Sequence, residues 1–212
     1  MVLLDSGFQH RRLARDLDVV TILVDSSSGL KRLPAGPARE RWAVLGRAHS
    51  VVLVRRHAPE RAGKRLEGLI REAFPAIQVA HVSIKARTIA PVSPGARSAP
   101  TSDPQLAVAG VMWPELFFAD VAKAGLSPDH ELCLADHVAP DGRTVALITE
   151  LAGSRGIVCT PKDAGKLAAA LPDELLIWRI DESITWGTGG QTLLCGIRGL
   201  VRQDAFGSHN AA

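Results

Sequence analysis

The chain contains no tyrosine, and its 212 residues include only five phenylalanines and four tryptophans. An aromatic platform for stacking single-stranded nucleic acid therefore has little to build on. Cysteine is scarce too: Cys133, Cys159 and Cys195 are widely spaced, odd in number and without a CxxC pair. That excludes a disulfide framework and points to reduced thiols in a cytoplasmic protein, expected as small buried residues. No apolar run approaches the roughly 18 residues that cross a bilayer, and the apolar start Met1–Leu4 is too short for the core of a signal peptide. The expectation is a protein with no transmembrane segment, soluble or peripheral. Also missing is GxxxxGK[ST], the loop whose amides and lysine cradle the β- and γ-phosphates of ATP.

What is present suffices for a real core: 46% of the residues are hydrophobic, enough for one large domain or two small lobes. Charge is distributed unevenly. Residues 1–104 carry 17 Lys and Arg against 9 Asp and Glu, whereas residues 105–212 carry 8 against 13. The first half is the one to meet anions such as phosphates or an anionic membrane surface, unless it is simply a solvated basic face. No zinc finger, repeat or basic helix turns the excess into nucleic-acid binding.

Apolar β-branched runs alternate with helical patterns. Strands are expected at Val19–Val24, Ser50–Val54 and Ile77–Ile84, with helices near Pro37–Arg47 and Pro59–Phe74. After a proline-rich stretch from Thr88 to Pro104, strands at Leu106–Ala109, Glu131–Leu134, Gly156–Thr160 and Glu174–Ile180 alternate with helices at Pro114–Ala124, Asp141–Ala152 and Pro161–Leu171. Such alternation implies βαβ units and a mostly parallel sheet. The Gly-rich residues 187–212 read as a frayed tail.

The chemistry-bearing residues begin at once. Leu3-Leu4-Asp5-Ser6-Gly7 reads as an apolar strand ending in Asp-x-Gly, where Asp5 can hold Mg²⁺ and Gly7 lets the backbone approach phosphate oxygens. Gly29–Glu40 is a Pro/Gly-rich turn leading into a helix, with Arg39 able to form a bidentate contact to phosphate. Gly110 stands at a strand-to-helix turn, where a backbone can pass close to a nucleotide. His130, Cys133 and His137 do not form a zinc set, because spacings of three and four along a strand and its exit point to opposite faces. Lys162 and Asp163, in the first turn of a helix, can contact nucleotide, or the local sequence can be a simple N-terminal cap by Thr160.

The string from Asp5 to Asp18 closely resembles the DDGFQHRRLARDLD segment of tetraacyldisaccharide 4'-kinases, which phosphorylate the lipid A precursor. Four further segments resemble that family in order: residues 29–40 its LLPAGPLREP loop, 109–118 its AGIGNPERFF segment, 135–138 its PDHH motif, and 159–167 its TTEKDAVKL segment. The resemblance implies a P-loop-NTPase-like α/β fold in two lobes, here without the N-terminal strands and P-loop. Residues 1–87 would be a partial kinase core lobe with a Walker-B-like strand, 88–104 a linker, 105–186 a second α/β lobe and 187–212 a tail. It implies ATP and Mg²⁺ as cofactors and the lipid A disaccharide precursor as substrate. By the same resemblance Asp5 and Ser6 would hold metal. Gly7, Lys162 and Asp163 would meet the nucleotide, and Arg39, Gln9 and His10 substrate or phosphate. Asp136 and His137 would act as a general-base pair beside the acceptor hydroxyl. Three polar positions depart from the family pattern: Ser6 replaces an aspartate, Val138 a histidine and Pro161 a glutamate. With the P-loop absent, these departures lead to the expectation that the chain alone is inactive, working with a separate P-loop-bearing chain or serving as a lipid- or partner-binding module.

Overall fold

A computed structural model describes residues 2–25, 41–96, 99–135 and 139–207, with side chains up to residue 201. The chain divides into two compact units: residues 1–84 with 184–212, and residues 85–183.

In the first unit, strands β1 (Val19–Leu23), β2 (Ser50–Arg55) and the start of β3 (Gln78–Pro91) lie side by side and parallel. Strand β2 is apolar on both faces, as a central parallel strand must be when helices cover both sides. Val51 and Leu53 pack with Ile70 and Leu66 of helix α1 (Glu60–Ala73). On the opposite face Val52, Ala80 and Val82 pack with Leu193 and Ile197. These last two belong to a helix, Gly190–Gly207, in the region expected to be a tail. The correction has a clear cause: Leu193 is 1% exposed, and burying such a side chain contributes about 2 kcal/mol, which holds a glycine-rich helix in place. Gly189 just before it has φ +76°, and a Cβ there would strike the carbonyl of Val79, so only glycine fits. Of the helix expected over 37–47, the described part is a 3-10 helix, Trp42–Arg47.

In the second unit the strand order is β7-β6-β4-β5, with β4 (Leu106–Ala109) central, β5 (His130–Cys133) and β6 (Ile157–Cys159) beside it, and β7 (Ile177–Trp186) next to β6. All three pairings are parallel. Alternate residues of β4 face opposite helix layers. Leu106 and Val108 pack with Ile148 and Ala152 of α3 (Gly142–Ala152) and with Ala164 and Leu167 of α4 (Pro161–Ala170). Ala107 and Ala109 pack with Phe117 and Val121 of α2 (Pro114–Lys123). The helix ending in Gly207 is α5. Strands β3 and β7 both pass from one unit to the other and are neighbours in the strand order. His81 N–H donates to Thr188 O and Val92 N–H to Ile177 O, so these two run antiparallel while the other pairings are parallel.

Candidate functional site

Residues 2–4 form no strand, which corrects the expectation of a Walker-B-like strand at Leu3–Asp5. Val2 is 84% and Leu3 81% exposed, and no strand lies beside them among the described residues to complete a ladder. Asp5 and Ser6 instead open a tight turn into a 3-10 helix, Gly7–Gln9. Ser6 takes φ 56° and ψ 25°, a left-handed conformation that costs a non-glycine residue about 1 kcal/mol or more. Its hydroxyl donates to Asp5 Oδ1 at 3.3 Å. Gly7 is buried, and a Cβ there would lie 2.8 Å from Leu4 Cβ, so close approach within the turn requires glycine.

One side chain organises this loop. Arg15 donates from Nη1 to the carbonyls of Gly7, at 3.2 Å, and His10, at 2.6 Å. Its Nε and Nη2 bind the Asp18 carboxylate at 2.7 and 3.3 Å. Asp18 is tied to the start of β2: its N–H donates to His49 Nδ1 at 2.9 Å, and its carbonyl accepts from His49 and Ser50 N–H. Arg47 lies over the Phe8 ring, 4.6 Å from its centre. Asp5, Ser6, Gln9 and His10 remain exposed, and a cleft of about 550 Å³ is lined by Gln9, His10, Arg11, Arg12 and Leu13. Arg15 and Asp18 were not singled out from the sequence: they lie outside any helix, so their i, i+3 spacing carried no periodic signal.

A second carboxylate, not singled out from sequence, stands past the end of β1. Asp25 accepts the backbone N–H groups of Arg56, His57 and Ala58, the first at 2.7 and the last at 2.6 Å. It holds the loop between β2 and α1 and is already committed to three donors.

In the second unit the connections after β4 and β6 leave for opposite faces of the sheet, since α2 lies on one side and α4 on the other. Adjacent parallel strands with diverging connections make a switch point, where open α/β sheets commonly bind ligands. Asp163 closes it from within. Its Oδ2 accepts from Gly110 N–H and from the Thr160 hydroxyl, both at 2.7 Å, while its own N–H donates to Thr160 Oγ1 at 3.1 Å. The side chain is 3% exposed, and a Cβ at Gly110 would sit 2.8 Å from Asp163 Oδ1. Thr160 thus caps α4, and Asp163 ties that cap to the turn after β4. Lys162 is exposed on the same helical turn.

Arg39, Asp136, His137 and Val138 lie outside the described residues. Among the described residues no group of three or more His, Cys, Asp or Glu side chains is placed to hold a metal. Mg²⁺ needs fewer, since it is commonly held by one or two carboxylates together with phosphates and water. The adjacent exposed oxygens of Asp5 and Ser6 fit that requirement. Of the cysteines only Cys159 is buried; Cys133 and Cys195 are exposed, which corrects the expectation for those two. Burial pushes the Cys159 thiol far above its ordinary range, Asp163 adds to this, and Arg179 opposes it only in part. No described helix is long and apolar enough to cross a membrane.

The family model for Tetraacyldisaccharide-1-P 4'-kinase matches residues 1–194. The tetraacyldisaccharide 4'-kinase of Anaeromyxobacter sp. (strain K) is 35% identical over 205 residues, 88% of this chain and 52% of that protein. The enzyme of the same name from Shewanella halifaxensis is 30% identical over 205 residues, 95% of this chain and 56% of its own. The chain spans about half the length of the curated relatives it matches. In fold it is similar to the crystal structure of LpxK from Aquifex aeolicus in complex with ATP, with a TM-score of 0.56 at 18% identity, covering 91% of this chain and 55% of that one. The matched residues take in both units, including the Asp5 loop, the Arg15 clamp and the Asp163 switch point: the chain belongs to the tetraacyldisaccharide 4'-kinase family.

Proposed function

We propose that these residues form part of an ATP-dependent kinase that phosphorylates the 4'-hydroxyl of the lipid A disaccharide precursor. The observation that carries this reading is the Asp5–His10 loop, whose polar side chains are exposed while its backbone is fixed by Arg15 and Asp18. Asp5 and Ser6 would hold Mg²⁺, which supplies charge neutralisation between the phosphates. Gln9, His10 and Arg39 would steady substrate or phosphate oxygens. Lys162 would reach the nucleotide from the first turn of α4, and Asp163 would shape the Gly110 turn beside it. His137, oriented by Asp136, would take the proton of the 4'-hydroxyl as its oxygen bonds to the γ-phosphorus and the bond to the ADP oxygen breaks.

The sequence contains no GxxxxGK[ST], so the cradle for the β- and γ-phosphates would come from outside these residues. The 212 residues by themselves are expected to bind Mg²⁺·ATP through Asp5 and to transfer no phosphate. Incubating the purified chain with Mg²⁺, ATP and tetraacyldisaccharide 1-phosphate should yield no phosphorylated lipid; turnover above a no-protein control would overturn this.

A second reading draws on the exposed Leu13, which follows the exposed Arg11 and Arg12, and on the exposed Val2 and Leu3 at the start of the chain. An apolar and basic surface of this kind suits a module that docks on anionic lipid. Sedimentation with vesicles should then rise with phosphatidylserine content and fall with salt. Independence from both would remove this reading.

A further inference from the structure

The Arg15 guanidinium uses its whole fork inside the protein. Two nitrogens face the Asp18 carboxylate, and the third bridges two carbonyls of one loop, Gly7 and His10. The pair is sheltered, with 15% and 14% of the two side chains exposed, unlike an ordinary surface ion pair. It is anchored, because the Asp18 backbone is bonded to His49 and Ser50 where β2 begins. Between the two bridged carbonyls lies the 3-10 helix, and just before it sits Ser6 in its left-handed conformation. Arg15 thus fixes two carbonyls of a loop that carries exposed polar side chains and a residue in a left-handed conformation, while Arg47 packs on its Phe8 ring.

We propose that Arg15, oriented by Asp18, is the positioning residue that presents Asp5 and Ser6 to a metal-bound polyphosphate. The inference rests on the reading of Asp5 and Ser6 as metal ligands, and assigns Arg15 no contact with the ligand itself. Its guanidinium transmits the position of the sheet edge to the loop. Lysine, a single point charge without the planar fork, cannot bridge both carbonyls while gripping both carboxylate oxygens.

The test compares wild type, Arg15→Lys, Asp5→Ala and the double variant of the full 212-residue chain by two readouts. Amide hydrogen exchange should quicken in Arg15→Lys at residues 7–13 and stay unchanged in β2 and β4. Mn²⁺·ATP binding, followed by water proton relaxation, should weaken about tenfold or more in Arg15→Lys. In the Asp5→Ala background the same change should have little further effect, because both act through one ligand. Arg15→Lys leaving loop exchange and binding as in wild type would overturn the inference. So would exchange that quickens equally throughout the first unit, which would mark a purely structural role. Binding that is absent in wild type, or indifferent to Asp5→Ala, would instead overturn the metal reading and with it the presentation of a ligand by Arg15; loop-specific exchange would then show only that Arg15 orders the loop.

Discussion

The Asp5 loop of the first unit and the switch point of the second both place an aspartate at a turn with a neighbouring hydroxyl, yet they use it in opposite ways. Asp5 is exposed, and among the described residues its carboxylate accepts one hydrogen bond, from the adjoining Ser6 at 3.3 Å. Asp163 is 3% exposed, and its carboxylate is committed to Gly110 N–H and the Thr160 hydroxyl. The first leaves its carboxylate exposed, at the start of a loop whose Gly7 and His10 carbonyls Arg15 holds. The second is itself the clamp. A motif match alone treats both as ligand contacts; burial and partners separate them.

This contrast is most easily broken at Asp163. Asp163→Ala leaves a buried N–H and a buried hydroxyl without their acceptor and should lower the unfolding free energy by about 3 kcal/mol in urea titration. A loss under about 0.5 kcal/mol would show that the network is not a clamp. Gly110→Ala, which forces a methyl against the same carboxylate, should cost about 1–3 kcal/mol. Asp25→Asn, at the loop after β2, replaces one acceptor oxygen by a donor facing backbone N–H groups and should cost about 1–2 kcal/mol.

A smaller effect should appear at Glu67, which binds Arg71 and His81 from α1. Burial pushes its carboxyl up, but the hydrogen bonds from Arg71 and His81 outweigh this and hold it below its ordinary 4.5. The stabilisation from a depressed carboxyl is present above pH 4.5 and lost as pH falls through the folded value. Glu67→Gln should therefore differ from wild type near neutral pH and approach it on acidification, as read by thermal unfolding across pH. A gap that widens in acid would contradict the assignment. Smallest of all, Asp5→Ala should change stability by no more than about 0.5 kcal/mol, because its carboxylate is exposed.

Much of the fold was legible. The buried apolar runs gave β2, β4 and β6 to within two residues, the helix expected from Asp141 to Ala152 is α3, and the N-terminal cap by Thr160 marked α4. The errors lie where local composition and tertiary packing disagree. Leu3 and Leu4 read as a strand, but a strand needs a partner, and none is beside them among the described residues. Residues 187–212 read as a tail because five glycines lie between 187 and 199, while Leu193 and Ile197, four apart, were the sign of a helix face that packs on β2 and β3. At the site, the sequence located the Asp5 turn, yet Asp25 acts through backbone groups more than thirty residues away, and the Arg15 bonds to the Gly7 and His10 carbonyls follow no helical or strand period that a local pattern would report. The burial of Asp163 was likewise decided by Gly110, 53 residues away.

The most direct test of the account is calorimetric titration of Mg²⁺·ATP into the purified chain, its Asp5→Ala variant and its Asp25→Asn variant. The account predicts binding in wild type and Asp25→Asn and its loss in Asp5→Ala, since the proposed function has Asp5 holding the metal while Asp25 is committed to three backbone N–H groups. Equal binding in wild type and Asp5→Ala, or none in either, would contradict it.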